Sequence, residues 1–100
     1  MIKHIVMWKL KDSHNGETKS EMISNVKSIL EDLKSKINVI IEIEVGINFN
    51  ASEAASDVVL YSTFKSREDL DIYQKHPDHL KVAGYISEIR TDRTVVDYEC

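Results

Sequence analysis

The first ten residues alternate between two sides, which is the periodicity of a β-strand. One side carries His4 and four apolar residues: Ile2, Val6, Trp8 and Leu10. The other side carries Lys3, Lys9 and three apolar residues: Met1, Ile5 and Met7. Because both sides are partly apolar, we expect both to meet other protein. Residues 11–17 are rich in Asp, Ser, Asn and Gly, which predicts a connecting loop.

From Thr18 onward the apolar positions recur every three or four residues, and this spacing predicts a helix. The stripe contains Met22, Val26, Ile29, Leu33 and Ile37, and is widened by Ile23 and Leu30. Thr18 and Glu21 match a capping box at the start of this helix. Lys34 and Lys36 are expected near its end, where the helix dipole favours positive charge.

Three further segments have the character of strands. Residues 39–49 alternate, with five apolar residues predicted on one side: Val39, Ile41, Ile43, Val45 and Ile47. The opposite side would hold Glu42, Glu44 and Asn48. A loop over 50–56 leads to a strand over 57–65 that is rich in β-branched and aromatic residues. A weaker alternation over 93–99 predicts the last strand.

A broken helix is predicted between the last two strands. Ser66 is a suitable N-cap, and the helix continues through Leu70 and Tyr73. It should break at His76, because Pro77 disfavours the α conformation of the residue before it. Pro77 is suited to the first position of a new helix. That helix carries Leu80, Val82, Ala83, Ile86 and Ile89.

The order βαββαβ predicts an α+β fold, a ferredoxin-like antiparallel sheet with helices on one face. The 100 residues form one domain over residues 1–100. The second sheet face lies beyond the reach of the chain's own helices. We expect it to present four apolar or aromatic residues among Lys3 and Glu42: Ile5, Met7, Val59 and Tyr61. We therefore predict a homodimer in which two such open faces pack together.

The composition limits the binding partners and the cellular location that we expect for the protein. The net charge is −4, with both signs interspersed, which argues against a nucleic-acid partner. No run approaches the roughly 20 apolar residues of a membrane span, so no membrane is expected. Cys100 is the single cysteine and cannot form an intrachain disulfide, which fits the cytoplasm. Glycine-rich phosphate loops and dinucleotide motifs are missing, so we expect no cofactor.

Three segments together carry a resemblance to a known family: MIKHIVMWKLKD, DVVLYSTFKSREDLDIYQKHPDHLKVA and VVDYE. The most diagnostic pieces are the Lys3–His4 pair and the segment Tyr73-x-x-His76-Pro77-x-His79. In this order and spacing the chain resembles the stress-responsive A/B barrel domain family, often called Dabb. The resemblance implies a dimeric α/β barrel. Members of that family include plant stress-induced proteins without an assigned reaction and a polyketide cyclase, olivetolic acid cyclase.

Tyr73, His76 and His79 lie within seven residues and are the main candidates for chemistry. A neutral imidazole accepts a proton near pH 6.5, and a phenol hydroxyl can stabilise an enolate. The resemblance to the cyclase implies that His79 shuttles a proton, that Tyr73 orients the substrate and that His4 borders the cleft. We expect Trp8, Val26 and His76 to contribute to ligand binding.

Each of these residues also has a purely structural interpretation. His4 can be a hydrogen-bonded core residue, His76 can cap the helix that follows it, and His79 can tie that helix to the sheet. Pro77 removes the guarantee that Tyr73 and His79 share a face, and His14 lies in a polar loop. Two histidines at a three-residue spacing lack a third ligand, so no metal is expected.

The sequence also departs from the cyclase around the expected pocket. Met22, Ile23 and Val26 stand where aromatic residues would shape a polyketide site. Leu80, Lys81 and Val82 follow His79 where smaller residues would leave room. These differences argue against the cyclisation of a long polyketide.

Two main functional hypotheses follow. The first is a stress-associated homodimer whose cleft binds a small apolar or carbonyl compound, with no established reaction. The second is a cofactor-independent enzyme, a lyase or isomerase, in which His79, Tyr73 and His4 move a proton. A structural scaffold is a third. The enzyme hypothesis requires that His79 border an open cleft with one ring nitrogen free.

Overall fold

The computed structural model describes all residues from Met1 to Cys100. The strands are β1 Ile2–Leu10, β2 Ser13–His14, β3 Glu17–Thr18, β4 Ile40–Ile47, β5 Val58–Phe64 and β6 Arg90–Glu99. The helices are α1 Lys19–Asp32, α2 Arg67–Lys75 and α3 Pro77–Ile89. Four strands form an antiparallel sheet in the order β4-β5-β1-β6. Leaving aside the short hairpin of β2 and β3, the order is βαββαβ, and the predicted ferredoxin-like α+β fold is confirmed.

The helices pack on one face of this sheet and cover the core. Nineteen buried apolar residues form one cluster, drawn from all three helices and from strands β1, β4 and β5. Strand β1 lies between β5 and β6, so every second residue of β1 points into this core. None of the helices is long and apolar enough to cross a lipid bilayer.

The segment after β1 is more ordered than the predicted loop over 11–17. It forms the hairpin of β2 and β3, with Asn15 and Gly16 at its turn in the left-handed region, at φ 48° and 82°. An Asn-Gly pair is the typical sequence of such a turn, because glycine adopts positive φ without steric cost. The predicted capping box is confirmed: Thr18 Oγ1 accepts from the Glu21 amide, and Glu21 accepts from the Thr18 amide.

Helix α1 ends earlier than its apolar stripe. The α conformation stops at Asp32, a single 3-10 turn covers Leu33–Ser35, and Ile37 is buried beyond it. The stripe continues past the helix because the tighter turn still directs Leu33 and Ile37 into the core. The last turn of α1 itself holds no basic residue, but Lys34 lies in the 3-10 turn that continues the helix, and Lys36 follows directly after it.

The predicted faces of the second long strand also need correction. Ile40 pairs with Phe64, whereas Glu42 pairs with the adjacent Thr63, so Ile41 is an extra, bulged residue. A bulge shifts the alternation by one residue. Ile40 therefore fills the core, and Ile41 is 45% exposed.

The elements around Pro77 form as expected. Ser66 Oγ accepts from the Asp69 amide at the start of α2, and Pro77 is the first residue of α3. Strand β6 begins at Arg90, three residues before the predicted start of 93, and follows α3 directly. Its early start is possible because a register shift between Lys9 and Leu10 extends the pairing with β1.

The second sheet face is uncovered, as the sequence predicts. The register places Ile5, Met7, Val59 and Tyr61 on it, all partly buried. Strand β6 adds Val96 and Tyr98, which are 47% and 46% exposed. This open face, defined by these six residues, is large and apolar for a face that meets only water.

Candidate functional site

A cavity of about 350 Å³ lies between the helical face of the sheet and helices α2 and α3. Strand β1 supplies His4 and Trp8, α2 supplies Tyr73, and α3 supplies His79. The sequence predicted all four as site residues, and the fold brings them into one wall. Because β1 alternates between faces, His4 and Trp8 point to the same side of the sheet.

His4 is buried and held by a carboxylate. It is 2% exposed, and its Nδ1 forms a close hydrogen-bonded pair with Oδ1 of Asp97. The two residues lie opposite each other in the β1–β6 register. This hydrogen bond fixes the orientation of the His4 ring. His4 is therefore a hydrogen-bonded, buried histidine, as its structural interpretation expected. Its partner, Asp97, was not identified from the sequence.

Tyr73 has an unusual hydroxyl. The side chain is fully buried in the last turns of α2, with its ring centroid 5.0 Å from that of Phe64. Its hydroxyl is the one buried side-chain polar atom in the protein without a hydrogen-bond partner. Burial raises the pKa of Tyr73, so the phenol stays protonated and can act as a donor. A buried polar group without a partner costs free energy, and such groups concentrate at functional sites.

His79 stands next to Tyr73, with the two ring centroids 4.5 Å apart. The break between α2 and α3 allows the two rings to meet, because His76 adopts an extended conformation there, with φ −64° and ψ 137°. His79 is partly buried, and its Nδ1 lies 3.0 Å from the carbonyl oxygen of Gln74. A carbonyl only accepts, so Nδ1 carries the proton and Nε2 has no partner in the protein.

The electrostatics keep His79 neutral. Burial lowers its pKa most, and the charges of His4, Arg93 and His76 lower it further. The hydrogen bond to Gln74 opposes these effects but does not reverse them. At neutral pH the site therefore contains an unprotonated imidazole nitrogen beside a protonated phenol. This is the pairing of acceptor and donor that acid–base chemistry on a carbonyl compound needs.

Two of the predicted ligand-binding residues lie elsewhere. His76 does not line the cavity; its Nδ1 accepts from the Asp78 amide at 3.1 Å and caps α3. Val26 is fully buried in the core, and the wall at that helix is formed by Leu30 instead. The structural interpretation of His76 as a cap is borne out by this hydrogen bond. Neither His76 nor Val26 lines the cavity, and their predicted part in ligand binding stays a prediction.

The cavity also contains residues that the sequence did not indicate. Arg90 and Arg93 line it from the start of β6. Among the residues after His79 that were expected to crowd the pocket, only Val82 reaches it, whereas Leu80 is 57% exposed. His14 is only partly exposed, its Nε2 lies 3.9 Å from Glu88, and it does not line the cavity. Nowhere does the protein gather three or more His, Cys, Asp or Glu side chains as a metal site would.

Comparison with known proteins identifies relatives of this arrangement. The family model described as the stress responsive A/B barrel domain matches residues 2–100. A curated relative is the stress-response A/B barrel domain-containing protein DABB1 of Arabidopsis thaliana. It is 29% identical over 98% of this chain, which spans 46% of the length of that protein.

Two solved structures share the fold. One is a dimeric protein of unknown function with a ferredoxin-like fold from Bacteroides fragilis. It is 38% identical with a TM-score of 0.88, covering 99% of this chain and 95% of that chain. The other is a hydroxynitrile lyase from Passiflora edulis, 19% identical with a TM-score of 0.81, covering 97% and 90%. At that identity the lyase shows a similarity of fold alone.

The protonation state of His79 can be measured. We expect its imidazole to titrate below the ordinary pKa of about 6.5, because burial disfavours the charged ring. Histidine NMR signals followed across pH, with His79→Gln to assign the resonance, will report the midpoint and the Nδ1–H tautomer. The unfolded chain takes up this proton first as pH falls. The stability contributed by neutral His79 is therefore present above about pH 6.5 and declines below it. A midpoint above 6.5 would contradict the site described.

Proposed function

This chain belongs to the stress responsive A/B barrel domain family, and we propose that its cavity binds a small carbonyl compound with an apolar body. The observation that carries this proposal is the buried, unpartnered hydroxyl of Tyr73. A carbonyl oxygen entering the cavity would accept from this hydroxyl and relieve the cost of leaving it unpaired. The hydroxyl would then contribute more to the complex than to the free protein.

The remaining wall suits the rest of such a ligand. Eight of the thirteen lining residues are hydrophobic, and they include Trp8, Leu60 and Ile86. A volume of about 350 Å³ lies in the range of small-molecule sites. Apolar walls with a few polar groups at one place bind a ligand by its carbon skeleton and orient it by its polar atom.

A second candidate function, proton transfer, is favoured by the free Nε2 of His79. In this scheme Nε2 takes a proton from the carbon next to the ligand carbonyl, and the electrons move to the carbonyl oxygen. Tyr73 donates a hydrogen bond to the enolate oxygen that forms. Returning the proton from His79 to carbon completes an exchange or an isomerisation, with no cofactor consumed. The hydroxynitrile lyase from Passiflora edulis shows that a chain of this fold can be an enzyme.

The Asp97–His4 pair supports the same scheme. The Asp97 carboxylate holds the His4 ring in place through Nδ1. The His4 ring centroid lies 6.1 Å from that of Tyr73, so the two histidines flank the phenol. His4 would position Tyr73 and a ligand, while His79 moves the proton.

We also propose that the protein is a homodimer through its open face. The relative from Bacteroides fragilis is described as dimeric, and it covers nearly the whole of this chain. The open face joins an apolar centre of Ile5, Met7 and Val59 to a polar end, where Lys3 Nζ donates to the Tyr61 hydroxyl at 2.5 Å. Phe49, fully exposed in the loop beside this face, would be covered by the partner sheet.

The cytoplasm is the location we propose. Cys100 is an exposed free thiol. Exposed thiols persist in reducing compartments.

Replacement of Tyr73 by phenylalanine tests the binding proposal. Calorimetric titration with 2-heptanone should show binding weakened about two- to tenfold, the effect of one neutral hydrogen bond. The free energy of unfolding should stay the same or rise, because the variant removes a buried polar atom that has no partner. Tyr85→Phe is the matched control: its hydroxyl donates to Glu17 at 3.1 Å, so its loss should lower stability and leave binding unchanged. Equal ketone affinity in wild type and Tyr73→Phe would refute the proposed role.

Replacement of His79 by glutamine tests proton transfer. In D2O the wild-type protein should replace the α-protons of 2-heptanone faster than buffer does, as followed by proton NMR. His79→Gln should slow this exchange by about 100-fold or to the buffer rate, since general-base catalysis contributes factors of that order. His14→Gln removes a histidine that does not line the cavity and should exchange at the wild-type rate. An unchanged rate in His79→Gln would exclude His79 as the base.

A charge placed on the open face tests the dimer. Light scattering should give wild type twice the 11.5 kDa mass of one chain, and Met7→Glu the mass of one chain. An unpaired carboxylate between two apolar sheets would be too costly to bury. Ile72→Glu, at an exposed apolar position on α2, should remain dimeric. A dimeric Met7→Glu would place the interface elsewhere.

A further inference from the structure

Two arginines of the cavity have no acidic partner. Arg90 and Arg93 face the helical side of the sheet, opposite Leu10 and Trp8 of β1, and both line the cavity. Neither guanidinium forms a salt bridge or a side-chain hydrogen bond within the protein. The contrast is Arg67, whose Nε donates to Glu99 at 2.5 Å on the surface. Guanidinium groups that line a cavity without a carboxylate partner are available to an anionic ligand.

The two aspartates of β6, Asp92 and Asp97, do not pair with these arginines. None of the lining residues is Asp or Glu. Asp97 shares the face of Arg93 on β6 but pairs with His4, and four residues of strand place it about 13 Å away. Asp92 lies opposite Lys9, on the other face of the sheet. Arg90 and Arg93 are therefore the permanently charged residues of the lining, which is positive although the whole chain carries −4.

Arg93 is also close enough to influence the candidate chemistry. Its charge is one of the causes that lower the pKa of His79. Arg93, His79 and Tyr73 all line the same cavity, so a negative group bound at Arg93 would share that cavity with the candidate acid–base pair. The Tyr73 ring lies next to the His79 ring, with centroids 4.5 Å apart.

We propose that the ligand of this cavity carries a carboxylate, held by Arg90 and Arg93, in addition to the carbonyl that faces Tyr73. This inference rests on the proposed function and narrows its ligand to keto acids with an apolar chain. The carboxylate binds at the start of β6, and the carbon chain runs along the apolar wall toward Tyr73 and His79. The positive lining would select acids over neutral ketones of the same shape.

Paired probes separate the contribution of charge from that of shape. Calorimetric titrations would compare 5-oxohexanoate with 5-oxohexanamide, which has the same skeleton and ketone but no charge. We expect the acid to bind the wild-type protein at least tenfold more tightly, because charge-assisted hydrogen bonds to guanidinium are strong. In Arg93→Gln and Arg90→Gln the ratio of the affinity for the acid to the affinity for the amide should fall toward one. The affinity for the amide should stay the same.

Arg67→Gln is the control for total charge, since it removes one arginine far from the cavity and should keep the preference. Thermal unfolding of each variant checks that it is folded. Equal binding of acid and amide, or a preference that survives both cavity variants, would overturn the inference and leave the proposed function standing. Binding of 2-heptanone without binding of either 5-oxohexanoate or 5-oxohexanamide would also overturn the inference and leave the proposed function standing. Failure of all three compounds would overturn the proposed function itself, and this inference with it.

Discussion

The pairing of β1 between β5 and β6 is the constraint on which the rest of the structure depends. Because residues in a strand alternate between faces, a slip of one residue would move His4 and Trp8 from the cavity to the open face. The observed register places His4 opposite both Ser62 and Asp97. The Ser62 hydroxyl donates to the His4 carbonyl at 3.0 Å, so the backbone at this point is fixed from one side and the imidazole from the other. The register of β1 with its two neighbours thus decides which residues line the cavity and which apolar residues lie on each face.

On the helical side, the break before Pro77 is what brings Tyr73 and His79 together. A continuous helix would separate Tyr73 and His79 by six residues and direct them to different sides. The extended conformation of His76 ends α2 and lets α3 begin in a new direction, with His76 itself satisfying the Asp78 amide. His79 then returns to Tyr73 and bonds the Gln74 carbonyl near the end of α2. A histidine that caps and a histidine that faces the cavity therefore have separate roles within four residues.

In the isolated chain, the two faces of the sheet leave different kinds of side chain without contacts. On the helical face the unmet groups are polar and few: the Tyr73 hydroxyl, Nε2 of His79 and two guanidinium groups. Such groups suit the small-molecule ligand that we propose for this face, with its matching polar atoms. On the open face the unmet surface is mainly apolar and broad, which a second protein surface satisfies better than a small ligand. This difference in chemistry is why we assign the ligand to one face and the partner subunit to the other.

Sequence periodicity alone determined the element order, the fold class, the capping residues and the break before Pro77, because these depend on local preferences and on the alternation of apolar residues. The resemblance to the family, rather than periodicity, pointed to Tyr73, His79 and His4, with Trp8 expected beside them as a ligand-binding residue. The sequence could not place Asp97, Arg90 or Arg93 at the site, since their strand lies some ninety residues from β1 and meets it only through the register of the sheet. Nor could it foresee the bulge at Ile41 or the orphan hydroxyl of Tyr73. Those features arise from packing between distant segments, and only the tertiary structure decides which of them come into contact.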